Sequence, residues 1–284
     1  MKRIATILCG SVAALTLNIA HAQKAATQPT PQPASPSKAA IPQTSPQAAP
    51  SPAVAAIQAA LANPDRPAAD TARDAQRHAS ELLAFAGIKQ GDYVADLMPG
   101  SGYFTRIFSN IVGPNGHVYG VVPVELLARY PKMADSPKAL SINPAFANTS
   151  AVITPIIDFS VDKPLDVVWT SQNYHDVYGT LGADSAQRMD RAIFQALKPG
   201  GTFIVIDHVA SPANASTAPT TLHRIDPALI IKEVQDAGFT LEAQSDVLRN
   251  PADNHTLKVF DPAIRGQTDQ VVLKFRKPAP KKSA

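Results

Sequence analysis

Histidines and carboxylates follow two of the apolar segments in this sequence of 284 residues. Tyr174-His175-Asp176 lies shortly after the apolar residues 165–170, and His208 directly follows the next such segment. An imidazole titrates near neutral pH, so His175 is the first candidate for a general base. The alternative is a loop histidine that hydrogen-bonds to the backbone. Asp176 is the second catalytic candidate, or it caps the helix that follows.

Further polar residues lie between His208 and a predicted helix at 226–237. Arg224 would clamp an anionic substrate, or it would pair with a surface carboxylate. Asp226-Pro227 has the form of an N-cap followed by a proline at the first helical position, which requires no functional role. The predicted substrate-binding residues are Tyr174, His208, His223 and Arg224.

Several of these residues are of types that ligate divalent metals. The set contains no pair at a tight ligand spacing, such as His-x-x-x-His on a helix, so we predict no metal site. Gly100-Ser101-Gly102 lacks the Gly-x-Ser-x-Gly frame of a nucleophile elbow, which argues against a serine hydrolase. The residues considered as ligands are His175, Asp176, His208, His223 and Asp226.

The elements that would position these side chains alternate between strand and helix from residue 68 onward. Strands that are apolar on both faces imply a parallel sheet covered by helices on both sides, and the final strand is free to run antiparallel. The fold class is therefore α/β and doubly wound. The predicted strands lie at 93–97, 117–122, 151–157, 165–170, 202–207, 239–242 and 270–276, and the main predicted helices at 75–86, 103–112, 124–139, 183–197 and 226–237.

A glycine-rich turn follows the first predicted strand. Ligands of open parallel sheets bind beyond the carboxyl ends of the strands, and Gly100 and Gly102 allow the backbone to approach one closely. A dinucleotide fingerprint requires Gly or Ala where Thr105 stands and an acid where Gly120 stands, so NAD is disfavoured. A tight turn without any ligand is the alternative.

Three motifs resemble, in order, those of class I S-adenosylmethionine-dependent methyltransferases. They are V-A-D-L-M-P-G-S-G-Y at 94–103, L-D-V-V-W-T-S-Q-N-Y-H-D at 165–176 and L-K-P-G-G-T-F-I-V-I-D at 197–207. The resemblance covers residues 70–277 and implies a Rossmann-like methyltransferase fold. That fold has a mostly parallel seven-stranded sheet, helices on both faces and an antiparallel final strand. More narrowly, residues 222–226, 249–256 and 260–269 resemble a group of exported bacterial methyltransferase-like proteins.

The resemblance also implies a set of contacts to S-adenosylmethionine. Asp96 would orient the glycine loop at the amino-acid part of the cofactor, and Asn173 would contact the methionine portion or the substrate. Glu125 would replace the ribose-binding acid, because Val121-Val122-Pro123 ends the second strand, and Asp158 would contact the adenine amino group. Met98 occupies the first glycine position of the family's Gly-x-Gly-x-Gly. The implied cofactor-binding residues are Asp96, Gly100, Ser101, Gly102, Tyr103, Glu125, Asp158 and Asn173.

The first 52 residues have the composition of an export signal and a tether. Residues 1–22 combine two cations, an apolar run and Ala20-His21-Ala22, which predicts a cleavable signal cut before Gln23. Residues 23–52 contain eight prolines among Ala, Gln, Ser and Thr, which predicts a disordered linker. The expected location is periplasmic or secreted, without a membrane anchor after cleavage.

The charge of the chain is distributed unevenly. The domain predicted at 53–277 is acidic, since residues 53–273 contain 17 Lys and Arg against 23 Asp and Glu, a net charge of −6. The residues 278–284 form a basic tail. An acidic body repels phosphate backbones, which argues against a nucleic-acid partner. The one cysteine, Cys9, lies in the signal, which excludes a disulfide scaffold and a cysteine nucleophile from the mature chain.

Two functional hypotheses follow from the sequence. The first is an exported methyltransferase that transfers the methyl group of S-adenosylmethionine directly to a small-molecule acceptor, with His175 as base. The second is a ligand-binding module that keeps the methyltransferase-like fold but has lost or altered cofactor binding. Met98 and the missing ribose acid are the features that favour this second hypothesis.

Overall fold

A computed structural model describes residues 51–280 of the chain. The predicted signal lies outside the described residues, as do residues 23–50 of the predicted linker and the last four residues of the basic tail. Pro52, the last residue of the predicted linker, is the first residue of a helix that Ser51 caps. Within residues 51–280, no helix has the length and apolar character that crossing a bilayer requires.

The described residues contain a sheet of seven strands. These are β1 (Tyr93–Leu97), β2 (His117–Pro123), β3 (Thr149–Thr154), β4 (Leu165–Ser171), β5 (Leu197–His208), β6 (Thr240–Ser245) and β7 (Gln270–Arg276). Their order across the sheet is β3-β2-β1-β4-β5-β7-β6. β1 to β5 pair in parallel, and β7 runs antiparallel to both β5 and β6. This topology confirms the predicted doubly wound α/β fold with an antiparallel last strand.

Helices and short 3₁₀ turns connect the strands. The helices are α1 (Pro52–Leu61), α2 (Ala68–Thr71), α3 (Ala79–Ala86), α4 (Tyr103–Val112), α5 (Val124–Leu127), α6 (Asp135–Ser141), α7 (Tyr174–Leu181), α8 (Ala183–Ala196), α9 (Ala218–Thr221) and α10 (Pro227–Asp236). Local sequence explains several boundaries. α4 lies between Gly102 and Gly113, and α10 begins where Asp226 accepts a hydrogen bond from the Ala228 N–H at 2.9 Å. Asp226 is therefore a helix cap, as one of its two interpretations predicted.

Three sequence predictions of secondary structure were wrong in detail. The helix predicted at 124–139 is interrupted, because Pro131 lacks an N–H and excludes Tyr130 from the helical conformation. The third strand starts two residues earlier than predicted and ends before Pro155. The alternative interpretation of His175 as a loop histidine was also wrong, because residues 174–176 form the first turn of α7.

Apolar side chains cover both faces of the sheet. On one face, Trp169 of β4 is fully buried, with ring centroids 4.7 Å from Phe104 and 5.3 Å from Phe108. On the other face, α7, α8 and α10 pack through residues such as Val177 and Ile193. Burying each large side chain contributes about 1.5–3 kcal/mol. These two layers fix the carboxyl ends of β1, β4 and β5, where the strand order reverses and a cleft opens.

Candidate active-site cleft

The loop between β1 and α4 has an unusual backbone. Met98, Gly100 and Gly102 have φ angles of 52°, 57° and 82°, in the left-handed region that favours glycine. A Cβ on Gly102 would lie 2.5 Å from Cδ1 of Leu140, whereas a Cβ on Gly100 would meet no atom within 4 Å. The loop is thus packed tightly on one side and open at Gly100, where a ligand has room to approach the backbone.

Asp96 lies at the carboxyl end of β1, beneath this loop. The hydroxyl of Thr105 donates a hydrogen bond to Asp96 Oδ2 at 2.6 Å, and the carboxyl group is otherwise enclosed. Burial raises the pKa of Asp96 to about 7, although the Thr105 hydrogen bond and the Arg77 charge both oppose this. The residue is placed to support the loop, as predicted for a cofactor site, and it also lines the cavity above it.

A cavity of about 280 Å³ lies between the glycine loop and the end of β4. Ser101 is exposed at its rim, and the Ser101 carbonyl accepts a hydrogen bond from Arg106 Nη2 at 2.9 Å. The Asn173 side chain donates to the carbonyls of Leu97 and Met98 at 3.3 and 3.1 Å, which joins the end of β4 to the loop. Five of the residues predicted to bind the cofactor line this cavity, namely Asp96, Gly100, Ser101, Tyr103 and Asn173. Gly102 does not line it and instead packs against Leu140.

Two arginines that the sequence analysis did not identify also line this cavity. The guanidinium groups of Arg73 and Arg77 lie 5.5 and 4.7 Å from the ring centroid of Tyr103, whose hydroxyl donates to Asp74 at 2.6 Å. Burial and the charge of Arg73 lower the pKa of Arg77. Within residues 51–280, neither guanidinium forms an ion pair with a carboxylate. They give the cavity two cations that are available to an anionic group.

The two carboxylates expected at the adenosine end of the cofactor lie in different environments. Glu125 is half-buried after β2, and its two oxygens accept from the Ile156 N–H at 3.1 and 3.2 Å. This contact fixes the Glu125 carboxylate between the ends of β2 and β3. Asp158 has a side chain that is 71% exposed and lies 3.4 Å from Arg188. The structure brings neither Glu125 nor Asp158 into the cavity beside the glycine loop.

His175 lies at the other end of the cleft, on the first turn of α7. Its Nδ1 is 2.7 Å from Asp207 Oδ1, and its backbone N–H donates to Asp207 Oδ2 at 2.8 Å. Burial alone lowers the pKa of His175, but Asp207 and Asp176 outweigh this and raise the pKa to about 10. The two carboxylates stabilise the protonated form of His175, and its predicted role as general base stays a prediction.

Asp176 and His223 complete this end of the cleft. Asp176 Oδ1 lies 3.4 Å from His175 Nε2 and 3.2 Å from His223 Nδ1. Burial raises the pKa of Asp176, but the two histidines outweigh it, so the pKa is lowered overall. His223 has a φ of 55°, which is uncommon for a residue other than glycine. Asp176 therefore lies between two imidazole rings that come from separate parts of the chain.

His208 is the neutral histidine of the cleft. Its Nδ1 is 2.7 Å from the hydroxyl of Thr268, and its ring centroid is 5.9 Å from that of His175. Burial lowers the pKa of His208 to about 4, despite the neighbouring Asp207. His208 lines the larger cavity described below, and its contact with a substrate stays a prediction.

Two predicted substrate-binding residues face away from the cleft. Tyr174 is fully buried, and its hydroxyl donates to Asp190 at 2.7 Å inside the core. Arg224 is also fully buried and pairs with Asp253 at 2.8 Å, so its partner is not a surface carboxylate. Its other hydrogen bonds go to backbone carbonyls, including that of Val209 at 3.0 Å. The structure therefore contradicts the predicted placement of both side chains at the substrate.

A larger cavity of about 490 Å³ lies beyond the ends of β4 and β5. The 24 residues between β6 and β7, 246–269, form much of its wall, including Phe260 and Arg265. Asp269 holds this segment, since it pairs with Arg249 at 2.8 Å and with His255 at 3.0 Å. Both cavities are lined by Arg73, Arg77, Phe104, Ser171 and Gln172. They form one continuous cleft with a glycine-loop end and a histidine end.

Sequence comparison finds methyltransferases of different specificity. No protein-family model matches the chain. A ubiquinone/menaquinone biosynthesis C-methyltransferase UbiE of Pasteurella multocida is 29% identical over 124 residues, which are 43% of this chain and 42% of the relative. A protein-L-isoaspartate O-methyltransferase of Ignicoccus hospitalis is 28% identical over 124 residues, which are 44% and 51% of the two chains. The chain spans about half the length of these curated relatives.

Structural comparison establishes the fold. A SAM-dependent methyltransferase from Aquifex aeolicus superimposes with a TM-score of 0.52 at 14% identity, over 79% of this chain and 98% of the other. A chain of the complex between the Haloferax volcanii Trm112 methyltransferase activator and the putative methyltransferase gives 0.54 at 20% identity, over 76% and 96%. The [4+2]-cyclase SpnF gives 0.54 at 16% identity, over 72% and 82%. The chain has the Rossmann-like fold of class I methyltransferases, a fold that also occurs in a cyclase.

Proposed function

We propose that this chain is an exported S-adenosylmethionine-dependent methyltransferase that acts on a small-molecule acceptor. The glycine loop carries the proposal, because its open side at Gly100 faces a cavity that Asp96, Arg73 and Arg77 also line. A cofactor that combines an amino acid with a nucleoside needs close backbone approach and a partner for its carboxylate. The cavity offers both, at the strand-order reversal where ligands of this architecture bind.

The amino-acid part of the cofactor is assigned to the arginine side of the loop. Arg77 stacks on Tyr103 and is held in place without a carboxylate partner among the described residues. Because this guanidinium is positioned by stacking and has no carboxylate partner among the described residues, it would form a charge-assisted hydrogen bond with the cofactor carboxylate. Such a bond is worth about 1.5–3 kcal/mol. The ribose is assigned to Glu125, whose carboxylate is fixed at the end of β2 and keeps further acceptor capacity.

The acceptor is assigned to the larger cavity. Its volume of about 490 Å³ is in the range typical of small-molecule sites. The residues shared by the two cavities, among them Ser171 and Gln172, mark where the methyl group and the acceptor would meet. Positioning of the two reactants supplies the main part of catalysis in this proposal. Asp176, a partly exposed carboxylate with a lowered pKa, would orient a donor group of the acceptor.

Calorimetric titration tests the cofactor assignment. The full chain should bind S-adenosylmethionine and its demethylated product with Kd values of about 1–100 μM, or roughly −5.5 to −8 kcal/mol. Arg77→Met should weaken this binding about tenfold or more. Arg129→Met is the matched control, because Arg129 also stacks on a tyrosine, 5.4 Å from the ring of Tyr130, but lies away from the cavity.

The titration also separates the two hypotheses. Absence of heat with up to 1 mM cofactor, with a folded protein, would contradict the methyltransferase proposal and favour the ligand-binding module. Equal affinity of the Arg77→Met variant and the wild type would remove Arg77 from the site without affecting the rest of the proposal.

Export is tested by the mass of the mature chain. After expression in a Gram-negative host, the periplasmic fraction should contain a chain that begins at Gln23. A chain that keeps residues 1–22 and sediments with membranes would contradict cleavage. A chain that stays in the cytosol would contradict export.

A further inference from the structure

Three side chains at the histidine end of the cleft have the geometry of a metal site. His175, Asp176 and His223 each offer a ligand atom, and these atoms all lie within 4.8 Å of one another. Asp176 Oδ1 is 3.4 Å from His175 Nε2 and 3.2 Å from His223 Nδ1. A zinc ion with bonds of about 2.0–2.2 Å in tetrahedral geometry separates its ligands by roughly 3.4 Å. Both measured distances fit an ion shared by the three atoms after a small movement of the His223 ring.

A buried carboxylate orients the first of these ligands. Asp207 is fully buried at the end of β5, and as a carboxylate it accepts from His175 Nδ1 at 2.7 Å. This contact leaves His175 Nε2 directed at Asp176. Ligating histidines in metal sites commonly donate their other ring N–H to a carboxylate in this way, which fixes the ring and strengthens it as a ligand. The second contact from Asp207, to the His175 N–H at 2.8 Å, also anchors the backbone of the first turn of α7.

The third ligand is held by a separate element. His223 follows α9 with a φ of 55°, a left-handed conformation that is strained for a residue other than glycine. Its ring lies edge-on to His175 at 5.4 Å and to Phe260 at 4.9 Å between centroids. Strain of this kind is found where surrounding contacts hold a residue in a functional position.

Two of the three proposed ligands are partly exposed. The side chains of Asp176 and His223 are 34% and 28% exposed, whereas His175 is enclosed. Phe260, which contacts His223, also lines the cavity that we assign to the acceptor. An ion bound by three protein ligands keeps an open coordination position, as catalytic metal sites do.

We propose that His175, Asp176 and His223 bind a divalent transition-metal ion of the zinc class, with Asp207 as the orienting partner of His175. Two imidazole nitrogens and one carboxylate oxygen suit zinc and its transition-metal neighbours, whereas magnesium and calcium prefer oxygen ligands. Imidazole and carboxylate ligands bind a metal ion in their deprotonated forms, so protons and metal compete for a site of this kind. The inference does not rest on the proposed cofactor or acceptor.

Metal titration of the full chain tests the proposal in the absence of any cofactor. The protein is prepared with chelator, in a Cys9→Ser background that removes the one thiol, and titrated with Zn²⁺ by calorimetry. We expect one ion per chain with a Kd at or below about 1 μM, competed by Co²⁺ with a visible absorption band. Millimolar Mg²⁺ should give no binding at this site.

Two variants and one control assign the ligands. Asp176→Asn and His223→Gln should each weaken Zn²⁺ binding at least tenfold; both side chains are partly exposed, so the variants should fold. His117→Gln is the matched control and should bind like the wild type, because His117 contacts Ser150 and begins β2, at the opposite end of the strands. Absence of Zn²⁺ binding by the wild type at 100 μM would overturn the proposal. Unchanged binding in both ligand variants would do the same.

Discussion

The two ends of the cleft are held by different kinds of interaction. The glycine-loop end depends on backbone conformation, with three left-handed residues between β1 and α4. Side-chain hydrogen bonds support it, such as those from Thr105 to Asp96 and from Asn173 to the Met98 carbonyl. The histidine end depends on charge pairs between distant residues, such as Arg224 with Asp253 and His175 with Asp207. The first end is shaped by a short continuous segment. The second requires α7, β5 and the long connection between β6 and β7 to be folded together.

The two ends therefore differ in how strongly they depend on the identity of individual side chains. A backbone loop beside a sheet edge presents the same N–H groups whatever the surrounding side chains are, which suits a cofactor common to many proteins. Buried, paired side chains are sensitive to single substitutions, because loss of one partner leaves the other charge without compensation. Variants at the histidine end should therefore affect stability more strongly than variants at the loop.

The largest effect is expected from Asp253→Ala. Arg224 is fully buried, and removal of its carboxylate leaves an uncompensated charge, which costs about 3–5 kcal/mol of unfolding free energy. Asp236→Ala is the control, since the Asp236 pair with Lys232 is exposed, and it should change stability by at most about 1 kcal/mol. Urea denaturation measures both. Equal effects would contradict the contrast between buried and exposed pairs.

Alanine substitutions in the glycine loop should lower the unfolding free energy by smaller amounts, which differ between the two positions. Gly102→Ala adds left-handed strain and a contact of 2.5 Å with Leu140, for a total of roughly 2–3 kcal/mol. Gly100→Ala adds strain without a contact, at roughly 1–2 kcal/mol. Urea denaturation of both variants measures the two losses of unfolding free energy. A larger loss at Gly100 than at Gly102 would show that the loop is packed differently from this description.

The buried Asp190, which accepts a hydrogen bond from Tyr174 of α7, should make the unfolding free energy depend on pH. Burial, with Glu233 nearby, raises the pKa of Asp190 to about 8, although the Tyr174 hydroxyl opposes this. The folded state therefore keeps a proton that an unfolded aspartate, with a pKa near 3.9, has lost. Stability from this group is fully present below about pH 4 and is lost as the pH rises through about 8.

Asp190→Asn should remove this dependence while preserving an acceptor for the Tyr174 hydroxyl. Between pH 6 and 8.5 the wild type should lose roughly 2–3 kcal/mol more unfolding free energy than the variant. Urea denaturation at the two pH values measures this difference. Parallel pH profiles of the two proteins would show that Asp190 does not titrate in this range.

The smallest effect concerns the adenosine end of the cofactor. Glu125→Gln should weaken S-adenosylmethionine binding several-fold, by about 1 kcal/mol, because the fixed carboxylate becomes a neutral amide. Asp158→Asn should leave the Kd within about twofold, since its side chain is 71% exposed and its pair with Arg188 is worth little. Calorimetric titration of the two variants with S-adenosylmethionine measures both Kd values. A larger increase in Kd for Asp158→Asn than for Glu125→Gln would instead support the contact between Asp158 and adenine that the family resemblance implies.

The sequence predicted the fold and the glycine-loop end well, because their signals are local. The strand Tyr93–Leu97 and the helix Tyr103–Val112 were predicted to the residue from apolar runs bounded by glycines. Arg73 and Arg77 were missed because no motif marks them; they reach the cavity only through the packing of the segment before α3 against Tyr103. Their approach to the loop is a tertiary contact that spacing does not encode.

The histidine end could be predicted only in part. Residue types identified His175, Asp176, His208 and His223, but the spacing criterion for metal ligands applies to residues on one element. Here 47 positions separate Asp176 from His223, and the fold closes that separation to 3.2 Å. Tyr174 and Arg224 were misplaced for a related reason, since a polar residue near a strand end can face either the cleft or the core.

The position of β7 has a consequence for how the chain reaches its final state. This strand follows all the others in sequence, yet it lies between β5 and β6 and pairs with both along its length. Until it is inserted, those two strands present unpaired edges, and the wall formed by residues 246–269 has no anchor at its far end. Contacts between distant residues slow folding. A nascent chain therefore cannot complete its sheet until residues 270–276 have been synthesised.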